Sequence, residues 1–174
     1  MTLEKEQNTS SSRKRIALIL VALLSPYALV QVWILTSAPN VAFETMPTCP
    51  ANSQNCAHLG GGQDFRMDDT MELVVQANIS VISELLQTWI QDGNMNVLFE
   101  TTSAEEGHVV HAVDITPFWR FPDDVMVHLE PTPEGHTRME LHSQSRLGQS
   151  DLGVNPERLN ELHQVLMAGS PSAA

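Results

Sequence analysis

Apolar and polar residues alternate along several segments after residue 70, and this two-residue period is typical of half-buried β-strands. The clearest case is residues 71–79, where the odd-numbered positions are apolar and the even-numbered ones are mostly polar. Similar patterns predict four further strands, at residues 95–100, 108–118, 125–130 and 136–143. Pro-Thr-Pro-Glu-Gly at residues 131–135 predicts the hairpin turn between the last two strands.

Two other segments have apolar residues spaced three and four apart, which places them on one face of a helix. The first follows Ser80, which we expect to be its N-cap, and ends at Gly93. The second has Asn155 as its expected cap and Pro156 at its first position, and it ends at Gly169. Both segments therefore predict amphipathic helices.

The predicted elements follow in the order β-α-β-β-β-β-α, which indicates an α+β domain at residues 71–169 and a frayed tail at residues 170–174. Four consecutive strands joined by short turns favour an antiparallel sheet with both helices on one face, a helix-grip or TBP-like topology. In all five strands the apolar residues fall mainly on odd-numbered positions, so the other face is expected to be polar. Three histidines fall on that expected polar face: His108, His128 and His142.

An uncharged run of 20 residues, at positions 16–35, precedes the domain. A helix of that length rises about 30 Å, the thickness of the hydrocarbon core of a bilayer. We therefore expect a transmembrane anchor at residues 16–36 after a cytoplasmic tail at residues 1–15. The basic triplet at residues 13–15 predicts that the N-terminus stays in the cytoplasm of a bacterium and that the domain lies in the periplasm or another extracytoplasmic space.

A cleaved signal peptide is the alternative to an anchor. Its apolar region is normally about 7–15 residues long and is followed by a cleavage site between small residues. Here the run is longer, and Pro39 directly follows the candidate site at Ser37 and Ala38, which disfavours cleavage. An uncleaved anchor is therefore the preferred interpretation.

Residues 37–70 contain three prolines and a run of three glycines, so they are predicted to be an irregular linker. The linker holds the only two cysteines, Cys49 and Cys56. An even cysteine count outside the cytoplasm favours a local disulfide, and closing so small a loop contributes roughly 2–3 kcal/mol. A metal site of Cys49, Cys56 and His58 is the alternative, although this spacing matches no common zinc pattern.

Charge divides the chain into two unequal parts. The first 15 residues have four basic and two acidic residues, a net charge of +2, whereas the rest has five arginines, no lysine and 19 acidic residues, a net charge of −14. Such an acidic body is repelled by phosphate backbones, so nucleic-acid binding is not expected. The sequence contains no Walker loop, dinucleotide fingerprint, HExxH or GxSxG motif, and we expect no cofactor and no metal.

Arginines and aspartates cluster in two predicted connections, at residues 119–125 between two strands and at residues 143–155 before the last helix. The residues in or beside these connections that we single out are Arg120, Asp123, Asp124, Arg146, Asp151, Asn155 and Arg158. Two interpretations stay open: an ion-pair network that ties the connections together, or a pocket in which arginine receives an anionic group near a helix N-terminus. The histidines are interpreted as surface residues in preference to a metal site.

The same residues carry a resemblance to a known family. S-R-L-G-Q-S-D-L-G-V-N-P-E-R-L at residues 145–159 resembles the signature of the bacterial domain-of-unknown-function 1499 family, and F-W-R-F-P-D-D-V at residues 118–125 resembles its second motif. C-P-A-N-S-Q-N-C at residues 49–56 is similar to its N-terminal cysteine pair. The resemblance covers about residues 49–167. It implies a domain boundary and the importance of Arg120, Asp123, Asp124, Arg146, Asp151 and Asn155, but no activity, substrate or cofactor.

Two classes of function follow. The first is a non-enzymatic binding or envelope-associated module, tethered to the membrane by one helix, which binds a protein or a small anionic ligand. The alternative is a hydrolase or isomerase that uses Asp123 or Asp124 with a histidine, because one of two adjacent carboxylates can have a raised pKa and act as an acid. The first class is preferred because no serine or cysteine is recognisable as a nucleophile beside a base.

Overall fold

A computed structural model gives the fold and describes residues 2–103 and 107–170, with side chains from residue 13 onward. The chain divides into two compact units, Met1–Pro39 and Asn40–Ala174. The first unit is a helix, and the second is a mixed domain of strands and helices.

The first unit consists of α1, Thr2–Ser37. Within it, Arg13–Ser37 is long and apolar enough to cross a membrane. This confirms the apolar N-terminal helix that the uncharged run predicts. The helix begins well before that run, and it accommodates Pro26 in its interior.

The second unit contains six strands and two helices in the part of the chain that the structure describes. In chain order they are β1 (Cys56–Leu59), β2 (Val74–Val75), α2 (Ile79–Asp92), β3 (Asn96–Ser103), β4 (Gly107–Ile115), β5 (Pro122–Pro131), β6 (Thr137–Ser145) and α3 (Val154–Met167). From β2 to α3 the order is the predicted β-α-β-β-β-β-α, and the α+β fold class is confirmed.

The described strands form one antiparallel sheet in the order β1-β6-β5-β4-β3, and β2 also pairs with β6. The four strands β3 to β6 are the predicted meander. Along the free edge of β6, β1 pairs with residues 141–144 and β2 with residues 137–138. Two short segments from different parts of the chain therefore share one strand edge.

This shared edge explains two differences from the sequence predictions. The linker at residues 37–70 is not irregular throughout, because it contains β1. The strand predicted at residues 71–79 is only β2, two residues long. Since β1 already occupies four positions of β6, only a short stretch of that edge remains for the alternating segment.

The helix ends differ from the predictions at the caps. Asn78, and not Ser80, is the N-cap of α2, and its side chain accepts a hydrogen bond from the backbone N–H of Ser80. Gly93 ends α2 as expected. α3 follows Gly153, whose φ of 92° is a left-handed conformation that favours glycine. The expected cap of α3, Asn155, lies inside the helix and is fully buried.

Strand register decides which side chains share a sheet face. Val110 of β4 lies opposite Val127 of β5, so even positions of β4 share a face with odd positions of β5. In β3, a register shift between Val97 and Phe99 places these two odd-numbered residues on opposite faces. The prediction that apolar residues take odd positions in every strand is therefore wrong for β4, where Val110 and Ala112 are the core residues.

The hydrophobic core lies between the two helices and one face of the sheet. α2 and α3 contribute the buried side chains of Ile82, Leu86, Trp89, Ile90, Leu159, Leu162 and Leu166. The sheet contributes Ala57, Leu59, Val110, Ala112, Val125, Val127, Leu129, Met139 and Leu141. Full burial of one large apolar side chain stabilises a fold by about 1.5–3 kcal/mol, so this layer fixes both helices on one face, as predicted. We call this the helix face and the other the second face.

Candidate functional site

Asp123 and Asp124 are consecutive residues of β5 and therefore point to opposite faces of the sheet. The sequence predicted a connecting loop here, which is wrong because β5 begins at Pro122. Each aspartate is only 3% exposed. The two carboxylates belong to separate clusters, one on each face, and they do not share a proton as a carboxylate pair would.

On the helix face, Asp123 binds Arg158 of α3. Arg158 Nη2 lies 2.8 Å from Asp123 Oδ2 and 2.8 Å from Asp114 Oδ2. Nη1 of the same guanidinium donates to Ser143 Oγ and to Asn155 Oδ1. Arg158 is 7% exposed. Its charge is balanced by the carboxylates of Asp114 and Asp123, which belong to the same domain.

On the second face, Asp124 binds Arg146 and His111. Arg146 donates from Nη2 to Asp124 Oδ1 at 2.6 Å and from Nε to Oδ2 at 2.9 Å. His111 Nε2 lies 2.7 Å from Asp124 Oδ1. Burial raises the pKa of Asp124, but the hydrogen bonds from His111 and Arg146 outweigh it, so that the pKa is lower than usual. This carboxylate is ionised at neutral pH and is not a proton donor.

His111 is fully buried, and both of its ring nitrogens are occupied. Nδ1 accepts the backbone N–H of Phe43 at 2.9 Å, so the proton of the neutral ring is assigned to Nε2, which faces Asp124. The Phe43 ring stacks on the imidazole with 4.6 Å between centroids. No ring nitrogen of His111 is left to exchange a proton with a substrate, so the geometry does not favour acid–base chemistry at Asp124.

Asp151 and Asn155 hold the connection between β6 and α3. Arg66 donates two hydrogen bonds to Asp151, at 2.8 and 3.0 Å, and the Gly153 N–H and Asn155 Nδ2 also donate to it. Burial raises the pKa of Asp151, but these donors together lower it to about 2. Arg66 was not singled out from the sequence, because it lies in the predicted linker and no periodicity marks it.

Arg120 is the singled-out residue that the structure does not bring to these clusters. It is exposed in the turn between β4 and β5, with φ of 59°, and its backbone N–H donates to Thr116 O. None of the ion pairs found among the described residues includes it. The two connections are therefore tied together by residues other than Arg120.

The three histidines expected on one polar face divide between the two faces. His108 is on the helix face, two residues before Val110, whereas His128 and His142 are on the second face. The interpretation as surface residues is wrong for two of them, since His108 is 3% and His142 0% exposed. His108 is separated from the other two because even-numbered residues of β4 lie on the helix face, whereas even-numbered residues of β5 and β6 lie on the second face.

Four ionisable side chains lie next to one another on the second face: His128, Glu140, His58 and His142. His58 Nδ1 lies 3.1 Å from His142 Nδ1, and His58 Nε2 lies 3.2 Å from Glu140 Oε1 in an orientation poorly suited to a hydrogen bond. Contact with His128, and then with His58, lowers the pKa of Glu140 to about 2. Burial, and then the neighbouring His58, lowers the pKa of His142 to about 4, so this buried ring is neutral at neutral pH.

A groove of about 980 Å³ lies between α2 and strands β3 and β4. Within it, Ser83 Oγ lies 2.8 Å from His108 Nδ1, and Glu100 Oε1 lies 2.9 Å from His108 Nε2. Gln87 also donates to Glu100. No motif marks this group, because α2 and two strands supply its members and only the sheet register brings them together.

Cys49 and Cys56 form the expected disulfide, with Cα atoms 5.7 Å apart. The structure places His142, and not His58, against the sulfur: Cys56 Sγ lies 3.7 Å from His142 Nε2. The two sulfurs and one ring nitrogen of His142 lie within 4.8 Å of one another. The metal site considered as an alternative would therefore have a different histidine.

The second unit is thus an α+β domain with a disulfide at its edge strand and arginine–aspartate clusters on both faces of one sheet. The chain belongs to the family of proteins of unknown function DUF1499, whose family model matches residues 42–166. The match begins before β1 and ends in α3, and it confirms the resemblance carried by the cysteine and arginine motifs. No curated protein matches the sequence significantly.

Proposed function

We propose that this chain is a single-pass protein of a bacterial cytoplasmic membrane, with its N-terminus in the cytoplasm and residues 40–174 outside it as a non-enzymatic binding module. The apolar helix Arg13–Ser37 supports the anchor, and the basic residues at its start favour a cytoplasmic N-terminus. A disulfide between Cys49 and Cys56 is typical of a domain outside the cytoplasm.

The arginine clusters support a structural role in preference to recognition of an anion. Arg66, Arg146 and Arg158 each contact an aspartate that is less than 10% exposed. An anionic ligand would have to displace those carboxylates from well-formed hydrogen bonds. We therefore propose that the ligand binds elsewhere in the domain.

The groove beside α2 is the observation that carries the proposal. Among the described residues, its lining includes five hydroxyl side chains, the amide of Gln87, and the carboxylates of Glu84 and Glu100, but no lysine or arginine. Its volume falls in the range of small-molecule sites, about 300–1,000 Å³. Hydroxyls and carboxylates suit a ligand that is rich in hydrogen-bonding groups and either uncharged or cationic.

Three related sugars that differ in charge test whether the groove prefers an uncharged or cationic ligand. Glucosamine, glucose and glucose 6-phosphate are titrated into the isotope-labelled protein while backbone amide shifts are followed by NMR. We expect saturable shifts around Ser83 and Glu100 with glucosamine, weaker ones with glucose and none with the phosphate. Glu84→Gln with Glu100→Gln should weaken glucosamine binding at least fivefold, whereas Glu157→Gln, an exposed acid of α3 outside the groove, should not. Shifts with the phosphate alone, or with none of the three, would reject the assignment.

A second candidate function is ester hydrolysis in the same groove, and the Ser83–His108–Glu100 contacts favour it. With Nε2–H directed at the Glu100 carboxylate, His108 Nδ1 is free to accept the proton of Ser83 Oγ. This is the serine–histidine–acid logic of serine hydrolases, with the roles of the two ring nitrogens exchanged. His108 is nearly buried, so the ring is held in place.

In this candidate reaction Ser83 Oγ attacks the ester carbonyl carbon and its proton passes to His108 Nδ1. The bond from the carbonyl carbon to the leaving oxygen breaks, the alcohol takes that proton, and an acyl-serine remains. Water then attacks the same carbon, gives a proton to Nδ1 and releases the acid, and Ser83 regains its proton. The lining carboxylates favour an uncharged or cationic ester.

Labelling with a fluorophosphonate and hydrolysis of p-nitrophenyl acetate separate this candidate from simple binding. Hydrolysis predicts that Ser83→Ala abolishes both signals, and that Ser80→Ala, in the same groove, keeps both. Glu100→Gln should lower kcat with little change in KM. Absence of labelling and of turnover in the native protein would leave the groove as a binding site only.

A further inference from the structure

The sulfur atoms of Cys49 and Cys56 lie at the His142 end of the four ionisable side chains on the second face, away from the groove. Cys56 and His142 are fully buried, whereas Cys49 is half-buried. The sulfurs and a His142 nitrogen lie within 4.8 Å of one another. Two thiolates and one imidazole at such distances are a donor set that Zn²⁺ prefers.

We propose that reduction of the Cys49–Cys56 disulfide creates a site for a thiophilic d10 cation of the Zn²⁺ type, with both sulfurs and His142 Nε2 as its protein ligands. A dithiol reductant breaks the S–S bond, supplies two electrons and two protons, and becomes a disulfide itself. The cation then replaces the two thiol protons, which pass to solvent. The fourth position of the tetrahedron is left for water beside Gln144, whose Oε1 lies 3.9 Å from Cys56 Sγ.

The groups behind His142 are arranged as a metal-binding histidine requires. A ligating imidazole almost always donates its second ring N–H to another group, which fixes the tautomer and the ring orientation. Here Nδ1 of His142 lies 3.1 Å from His58 Nδ1, and His58 Nε2 lies 3.2 Å from Glu140 Oε1. His142 can therefore carry its proton on Nδ1, directed at His58, and offer the Nε2 lone pair to the cation. His58 is the positioning residue, because its Nδ1 is the acceptor next to His142 Nδ1.

Oxidation and metal binding exclude each other, because the sulfur atoms of a disulfide are not thiolates, and the thiolate is the form that binds the cation. Cys49 and Cys56 are therefore linked in either of two ways, by the disulfide bond or through the bound cation. In the disulfide state Cys56 is paired with Gln144 at the end of β1, and this backbone pairing does not involve the S–S bond. The state of the site reports the thiol–disulfide balance of its surroundings.

Co²⁺ titration of the full chain in detergent micelles, with and without a dithiol reductant, tests the proposal. We expect the reduced protein to bind one equivalent with the visible spectrum of a tetrahedral site and a thiolate charge-transfer band, and Zn²⁺ to displace it. The oxidised protein should show neither feature. Equal binding by the oxidised protein, or no binding after reduction, would overturn the proposal.

Variants assign the ligands. His142→Gln should weaken Co²⁺ binding at least tenfold, and His58→Phe about tenfold, because it removes the acceptor next to His142 Nδ1. His136→Gln, in the turn between β5 and β6, is the matched control and should bind as the native protein does. Circular dichroism identifies any reduced variant that unfolds. If one does, Cys49→Ser is used instead, because Cys49 is only half-buried and its replacement disturbs the core less. This variant should lose part of the charge-transfer band, and retention of the full band would contradict the ligand set.

Discussion

At the scale of single residues, Arg146 and Asp124 offer a sharp test of what the clusters do. We expect Arg146→Ala to destabilise the domain by about 3–5 kcal/mol, because it leaves the buried Asp124 carboxylate without its guanidinium. Denaturant unfolding of the 40–174 unit measures the free energy. A double-mutant cycle with Asp124→Ala should give a coupling energy of about 1–3 kcal/mol.

The neighbouring aspartate is the control for this cycle. Asp123 points to the helix face and binds Arg158, so Asp123→Ala combined with Arg146→Ala should be additive within about 0.5 kcal/mol. Arg120→Ala, at an exposed arginine, should change the free energy of unfolding by no more than about 0.5 kcal/mol. An unchanged or raised melting temperature in Arg146→Ala would instead make this connection the place to search for an anionic ligand.

Asp151 gives the domain a specific dependence on acid. Its folded pKa of about 2 lies below the ordinary 3.8, so the unfolded state binds a proton first as the pH falls. The stability that Asp151 contributes is complete at neutral pH and is lost as the pH falls from about 5 to below 2, an effect of about 2 kcal/mol. Asp151→Asn should be less stable at pH 7 and decline less steeply below pH 4 in urea unfolding. Equal slopes would contradict this assignment.

At the scale of elements, the segment before β2 completes the domain. β1 supplies the edge of β6, Phe43 covers His111, and Arg66 neutralises Asp151. A fragment of residues 71–174 lacks all three, although the sequence predicts a domain boundary there. We expect a 40–174 fragment to unfold cooperatively, and the 71–174 fragment to show no cooperative transition in calorimetry. Cooperative unfolding of the shorter fragment would show that the linker is dispensable.

The disulfide is the covalent counterpart of this edge pairing. We expect Cys49→Ser with Cys56→Ser to destabilise the metal-free domain by about 2–3 kcal/mol, because the closed loop is short. Mass spectrometry of unreduced, alkylated peptides should find neither thiol labelled in exported protein. Complete labelling of both in native material would mean that the reduced, metal-competent state is the resident one.

At the scale of the whole molecule, the proposed orientation predicts where a reporter works. Alkaline phosphatase fused after residue 174 should be active, because α1 would place that end outside the cytoplasm. A fusion after residue 12, before the apolar run, is the matched control and should be inactive. Reversed activities, confirmed by a reporter that works only in the cytoplasm, would overturn the orientation.

Local pattern by itself was sufficient for the three helices, for the meander from β3 to β6 and for the fold class, but not for β1 or for the length of β2. The apolar run predicts α1, the spacings of three and four residues predict α2 and α3, and short turns predict the meander from β3 to β6. These features depend on neighbours along the chain, where side-chain period and turn residues act directly. The cysteine pair could be predicted for the same reason, since its two members are close in sequence.

Tertiary structure alone decided which residues meet. The register of β4 against β5 sends Asp123 and Asp124 to different clusters, and it brings His108 to Ser83 across the sequence. The free edge of β6 decides that β1 forms, which places His58 against His142. Register and edge pairing depend on hydrogen bonds between segments far apart in the chain, and a shift of one residue moves every side chain to the other face. No local pattern contains that information.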